Sequence, residues 1–97
     1  MAEKRSHKVT ANRIAKRYGA EYEGGEGVDI KTPRVAIEVE TAETVPEAPT
    51  QLQGHRGQVF IAGTNKEAVE KALEVTEDST IGVMDNKGNI IKQSSRR

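Results

Sequence analysis

The sequence predicts a single α/β domain in which a small mixed β-sheet is flanked by helices. Three patterns lead to this prediction: a helical periodicity near the N-terminus, a strict alternation over residues 28–40, and a helix between short strands in the C-terminal half. The chain has 97 residues, of which 34% are apolar and 31% charged. That is enough for one small core, so we expect one domain over residues 1–97, with flexible basic ends at 1–6 and 94–97.

The first predicted helix covers residues 7–18. Its apolar residues recur at helical spacing, Ser6 precedes it as a candidate N-cap, and Gly19 follows it as a C-terminal glycine. A weak alternation over Ala20–Glu23 predicts a short edge strand. The glycine-rich stretch after it indicates a turn or a mobile connection.

The clearest pattern in the chain is a β-hairpin around Thr32 and Pro33. Apolar residues alternate with polar ones on both sides of this turn. Because strand side chains alternate between the two faces of a sheet, four polar side chains emerge opposite the Val/Ile set: Asp29, Lys31, Glu38 and Glu40. Three carboxylates are therefore expected on one face.

The rest of the chain adds two helices and three strands. Capping-box spacings, Thr44 with Glu47 and Thr64 with Glu67, predict the two helix starts. The first of these helices is expected to run to Gly54. The predicted strands are Gln58–Ala62, Thr80–Met84 and Asn89–Lys92, so that the complete order is α-β-β-β-α-β-α-β-β.

Composition excludes several classes of function. The chain contains no cysteine, so a disulfide framework, a thiol nucleophile and a thiolate zinc site are all excluded. No apolar run is long enough for a membrane span and the N-terminus has no signal-peptide pattern, so we expect a cytoplasmic protein without membrane contact.

The formal net charge is zero, but the charges are segregated along the chain. Residues 1–19 carry six basic residues against one acidic residue, whereas residues 20–48 carry eight acidic residues against two basic ones. A basic arm beside an acidic middle is typical of a protein that contacts phosphate with one part and a cation with another. Mutual neutralisation of the two segments is the alternative.

The hairpin resembles the PD-(D/E)XK, or restriction-endonuclease-like, nuclease superfamily, which includes archaeal Holliday junction resolvases. An Asp on the second strand of that family's α-β-β-β-α-β core precedes Glu-X-Lys or Asp-X-Lys on the third. The matching residues here are Gly27-Val28-Asp29-Ile30 and Ile37-Glu38-Val39-Glu40. The resemblance covers roughly residues 7–75, and Glu40 stands in place of the family's lysine.

The resemblance implies a Mg²⁺ or Mn²⁺ site that supports phosphodiester hydrolysis. Asp29, Glu38 and the backbone carbonyl of Val39 would be its ligands, since these hard cations prefer oxygen. Glu40 would serve as a base or an extra ligand, as in the minority of restriction enzymes with Glu-X-Glu. The second helix of the family often lends a polar side chain, which makes Gln51 a further catalytic candidate and Gln53 its alternative.

Candidate nucleic-acid contacts lie outside the hairpin. On the first helix they are Lys8, Arg13, Lys16 and Arg17, and before the next strand they are His55 and Arg56. His7 has no partner histidine at a suitable spacing, so the sequence predicts a phosphate contact for it rather than a metal site or a relay. DNA is the expected partner, and cutting both strands symmetrically would require a homodimer.

The sequence leaves three functional hypotheses open. The first is a small metal-dependent endonuclease that recognises DNA structure rather than a long sequence. The second is an inactive member of the same fold that binds nucleic acid or a protein. The third is an unrelated interaction module whose acidic face docks a basic partner, in which case the carboxylates form an ordinary solvated sheet face with Lys31 paired across the strands.

Overall fold

A five-stranded mixed sheet lies between helices on both of its faces, as the sequence predicts. The structure is a computed structural model that describes residues 5–22, 28–52, 54–55 and 57–95, without the side chains of Arg5 and Ser6. Its helices are α1 (Arg5–Arg17), α2 (Ala48–Gln51) and α3 (Lys66–Val75). Its strands are β1 (Ile30–Lys31), β2 (Val35–Glu40), β3 (Gln58–Gly63), β4 (Gly82–Met84) and β5 (Ile90–Lys92).

The strands lie in the order β1-β2-β3-β4-β5. The central pairs β2–β3 and β3–β4 are parallel, and the outer pairs β1–β2 and β4–β5 are antiparallel. Helix-containing connections join the parallel strands, as such pairs require. Among the described residues no helix is long and apolar enough to cross a membrane.

Two apolar clusters, one on each face of the sheet, form the core. On one face, α1 packs Ala11, Ile14 and Ala15 against alternate strand residues such as Ile37 and Phe60. On the other face, α2 and α3 cover a cluster that includes Ala36, Val59 and Ile61. Both faces of β2 and β3 are therefore buried, which is usual for strands with parallel neighbours.

The predicted hairpin exists, but its polar face is not solvated. Glu38 and Glu40 are only 4% and 7% exposed, because helices cover the face of β2 that the sequence assigned to water. Lys31 is exposed and lies opposite Ala36 in the register. The solvated-face alternative is therefore wrong for both glutamates.

The helix starts differ from the capping boxes that the sequence suggests. Thr44 makes no capping bond, since its hydroxyl bonds Thr41, and a 3₁₀ turn over Val45–Glu47 leads into the short α2. Asn65 caps α3, because its side-chain oxygen accepts a hydrogen bond of 2.8 Å from the amide of Ala68. The Thr64 hydroxyl is instead buried without a partner among the described atoms.

The ends of the predicted elements also shift. Helix α1 begins by Arg5, so that Ser6 lies inside it. The expected strand over Ala20–Glu23 is reduced, among the described residues, to one antiparallel bridge between Tyr22 and Ile30. Ser94, assigned to a flexible end, is 7% exposed. Its hydroxyl accepts a hydrogen bond from the amide of Val59 and donates one to the carbonyl of Thr80.

The turn between β4 and β5 is held by the C-terminal half of α1. The Tyr18 hydroxyl donates to the carbonyl of Gly88 at 2.8 Å. The Arg17 guanidinium donates to the carbonyl of Lys87 at 2.8 Å and to the side chain of Asn89 at 2.7 Å. These bonds join segments about 70 residues apart and fix α1 across the sheet.

We expect Gly57→Ala to destabilise the fold more than Gly54→Ala. Both glycines have a φ of +82°, which costs any L residue about 1–2 kcal/mol. A Cβ at position 57 would also lie 2.7 Å from the carbonyl oxygen of Arg34, whereas one at position 54 meets nothing within 4 Å. Overpacking should add about 1–3 kcal/mol to the first variant only. Urea unfolding of both variants measures this difference, and equal losses would contradict it.

Candidate metal centre

Three carboxylates meet where β1 and β2 pair. The register places Ile30 opposite Ile37, so Asp29, one residue before β1, comes to lie beside Glu38. Glu40 projects from the same face of β2 as Glu38, two residues further along. One oxygen from each of the three side chains lies within 4.8 Å of the others. We call these three residues the acidic triad.

Backbone amides hold two of the carboxylates in place. The amide of Asp29 donates to Oε1 of Glu38 at 2.8 Å. The amide of Val39 donates to Oδ2 of Asp29 at 2.9 Å. The two strands thus exchange side-chain-to-backbone bonds that fix the orientation of both groups before any ligand arrives.

Burial disfavours negative charge in the triad. Burial, together with the neighbouring Asp29 and Glu40, raises the pKa of Glu38 to about 8. Burial also raises the pKa of Glu40, although hydrogen bonds from Thr44 and Glu38 oppose the increase. Glu38 is therefore protonated at neutral pH without a cation and can donate a hydrogen bond to Glu40.

A histidine that the sequence analysis kept apart from the site contacts the triad directly. His7, in the first turn of α1, places Nε2 3.2 Å from Oδ2 of Asp29. Its Nδ1 lies 3.3 Å from the hydroxyl of Tyr22, and the two rings meet edge to face at 5.8 Å. His7 thus has two polar partners that the sequence analysis did not indicate. Tyr22, His7 and Asp29 form a chain of polar contacts.

The other predicted site residues lie at varied places. Val39 lies between Glu38 and Glu40 in β2, and Gln51 is exposed at the end of α2. Lys8 and Lys16 are exposed on α1, whereas Arg13 and Arg17 donate to the β4–β5 turn. His55 is half-buried, and Gln53 and Arg56 lie outside the described residues.

The triad has the chemistry of a divalent cation site. Carboxylate oxygens are the ligands that Mg²⁺ and Mn²⁺ prefer, and metal–oxygen bonds of about 2.0–2.6 Å span ligand oxygens up to about 4–5 Å apart. The triad oxygens meet that limit. Asp29, 14% exposed, is the most accessible of the three side chains, so the site opens on the β1 side.

Comparison with known proteins identifies no relative of this chain. No family model, curated protein or solved structure matches the chain.

The raised pKa of Glu38 predicts a stability that falls as the pH rises. Between its ordinary value of 4.5 and about 8, the folded protein binds a proton that the unfolded chain has released. The stabilisation that protonated Glu38 provides is complete below pH 4.5 and lost above about pH 8. Between these values the free energy of unfolding falls by at most about 1.4 kcal/mol per pH unit. Glu38→Gln should flatten this slope in metal-free protein, as measured by urea unfolding across the pH range. The exposed Glu70→Gln is the control, and a wild-type slope in Glu38→Gln would contradict the assignment.

His7 contacts Asp29, and Tyr22 contacts His7. We therefore expect substitutions of His7 and Tyr22 to weaken metal binding, although neither residue is a proposed ligand. Partners that orient a metal ligand typically contribute about 10–100-fold to affinity. His7→Ala should weaken Mn²⁺ binding within that range, and Tyr22→Phe should weaken it less, as measured by calorimetry. Tyr18→Phe is the matched control, because this hydroxyl serves the β4–β5 turn; it should lower stability and leave Mn²⁺ affinity unchanged. Wild-type Mn²⁺ affinity in His7→Ala and Tyr22→Phe, as in Tyr18→Phe, would exclude a positioning role for His7 and Tyr22.

Proposed function

We propose that this protein is a small metal-dependent endonuclease of the cytoplasm that hydrolyses DNA phosphodiester bonds and recognises DNA structure rather than a long sequence. The observation that carries the proposal is the close approach of three carboxylates, Glu38 and Glu40 buried and Asp29 half-buried, where β1 and β2 pair. Among the described residues, His7 is the only basic side chain with a hydrogen bond or ion pair to them. Burying like charges with so little compensation is costly, and a bound divalent cation would remove most of that cost.

The residues that would hold the cation are Asp29, Glu38 and the carbonyl of Val39. When bound, Mg²⁺ or Mn²⁺ neutralises charge on a phosphodiester and lowers the pKa of water. The chain itself orients the ligands, since Asp29 is held by His7 and by the amide of Val39. Glu40 is left to hold a proton or to act as a further ligand.

The arrangement of elements supports the family resemblance. A helix covers one face, an antiparallel pair bears Asp29 and then Glu38, and a helical connection leads to a parallel strand. The PD-(D/E)XK core has the same sequence of elements after its first strand. Glu40 occupies the lysine position, so proton transfer from water would depend on a carboxylate rather than an amine.

A second candidate function is favoured by that same residue. A nuclease fold that has lost its lysine can persist as an inactive module that binds nucleic acid or a protein partner. Such a module requires no cation at the triad. Metal binding and cleavage therefore have to be measured separately.

We expect Asp29→Asn to abolish both Mn²⁺ binding and metal-dependent cleavage. The amide keeps an acceptor for the amide of Val39 but removes the most exposed charge of the triad. A Mn²⁺ titration followed by amide NMR should broaden the signals of Asp29, Glu38, Val39 and Glu40 in the wild type and spare them in the variant. Cleavage is then screened on DNA junctions, flaps, ends and single strands.

Asp78→Asn is the matched control, because Asp78 is an exposed aspartate after α3. It should preserve both broadening and cleavage. Cleavage that survives Asp29→Asn unchanged would refute the nuclease assignment. Selective broadening without cleavage of any substrate would favour the inactive module.

A further inference from the structure

The strand that brings Asp29 to the triad is the shortest in the sheet and lies at its edge. β1 covers only Ile30–Lys31, and on its outer side the described residues contribute one bridge, between Tyr22 and Ile30. Ile30 packs into the apolar cluster on the α1 face and Val28 into the cluster on the other face. We call residues 28–31 the β1 segment. Apolar packing anchors it, but a short edge strand is where local opening is easiest.

The polar attachment of the β1 segment to β2 changes in kind along its length. Near the turn it is made by the backbone, since the amide of Thr32 donates to the carbonyl of Val35 at 2.8 Å. At the other end, the register of the two strands would set Val28 opposite Val39. The amide of Val39 instead donates to the carboxylate of Asp29 at 2.9 Å.

A second carboxylate completes this end of the strand pair. The amide of Asp29 donates to Oε1 of Glu38 at 2.8 Å. Two side-chain carboxylates therefore accept the bonds that join this end of the β1 segment to β2. Both carboxylates belong to the acidic triad, so the same groups that would bind a cation also hold the edge strand.

The triad draws its ligands from both sides of the strand pair. Asp29 belongs to the β1 segment, whereas Glu38 and Glu40 belong to β2. Without a cation, facing carboxylates contribute no attraction, and like charges across a strand pair are destabilising. A cation that takes ligands from both sides is held fully only while the segment is docked, so its binding free energy also favours docking.

We propose that a divalent cation in the triad fastens the β1 segment to β2, so that the cation supply regulates how often this edge of the sheet opens. The proposal rests on the proposed function, whose site it regulates, because opening carries Asp29 away from the two glutamates. At a free cation concentration of 100 times the dissociation constant, linkage lowers the population of the open form about 100-fold. The opposite edge, β5, carries no triad residue and should not respond.

The test is amide hydrogen exchange by NMR with and without Mg²⁺, which is diamagnetic and leaves the signals sharp. The dissociation constant comes from calorimetry, and exchange is compared at 100 times that value. The amides of Asp29 and Val39 are the reporters, because their bonds join the β1 segment to β2, and their exchange should slow about 100-fold. The amide of Gly88, which donates to the carbonyl of Asp85 in the β4–β5 turn at 3.1 Å, should exchange at an unchanged rate.

Two variants remove the same charge from opposite sides of the strand pair. Asp29→Asn leaves no carboxylate ligand in the β1 segment, so Mg²⁺ should no longer slow the exchange of Val39. Glu40→Gln leaves Asp29 and Glu38 to bridge the strands, so slowing should persist at 100 times the dissociation constant of that variant. Slowing that survives Asp29→Asn, or that is lost in Glu40→Gln while Mg²⁺ is bound, would overturn the proposal.

The wild-type measurements separate this proposal from the nuclease assignment. Equal slowing at Val39 and Gly88 would overturn the proposal, because it would indicate only a general gain in stability. Unchanged exchange at Val39 with Mg²⁺ bound would overturn it and leave the nuclease assignment standing, and the absence of Mg²⁺ binding would overturn both. Slowing at Val39 alone, without cleavage of any DNA substrate, would support the proposal and refute the nuclease assignment.

Discussion

The pairing of β1 with β2 is the constraint from which the candidate site follows. It sets Asp29 beside Glu38, and the two-residue period of β2 adds Glu40 to the same buried face. Helices on that face largely exclude water from Glu38 and Glu40, so these two carboxylates relieve little of their repulsion by solvation. Without a cation the protein retains a proton on Glu38. With a cation bound, that proton must leave, so metal binding, protonation and stability are linked through one side chain.

Helix α1 connects this site to the far edge of the sheet. Its first turn reaches Asp29 through His7, and its last turn and Tyr18 hold the loop between β4 and β5. A shift of the helix would disturb both contacts together. The position of α1 therefore helps to determine the geometry of the triad, even though none of the three carboxylates lies on this helix.

The sequence predicts the local parts of this arrangement and misses those that depend on distant segments. Asp29 and Glu38 are nine residues apart across a tight turn, so alternation alone brings them together. His7 is 22 residues from Asp29, and no local pattern indicates that α1 crosses the sheet at that point. The burial of Glu38 was missed for the same reason, because α2, the helix that packs against this face of β2, is a later element. At the start of α3, Thr64 and Asn65 both suit an N-cap, and only the backbone geometry selects Asn65.

Arg13 and Arg17 of α1 bond the β4–β5 turn, whereas Lys8 and Lys16 are exposed, so the number of basic residues on this helix says little about function. A guanidinium presents several donors in a fixed plane and can bridge a carbonyl and a side-chain oxygen at once, as Arg17 does at the turn. An ammonium is instead a compact, strongly hydrated charge on a flexible stem. The two arginines face the β4–β5 turn, whereas Lys8 and Lys16 are exposed. The basic character of the helix thus serves folding on one flank, at the β4–β5 turn, and leaves two exposed ammonium groups elsewhere on the helix.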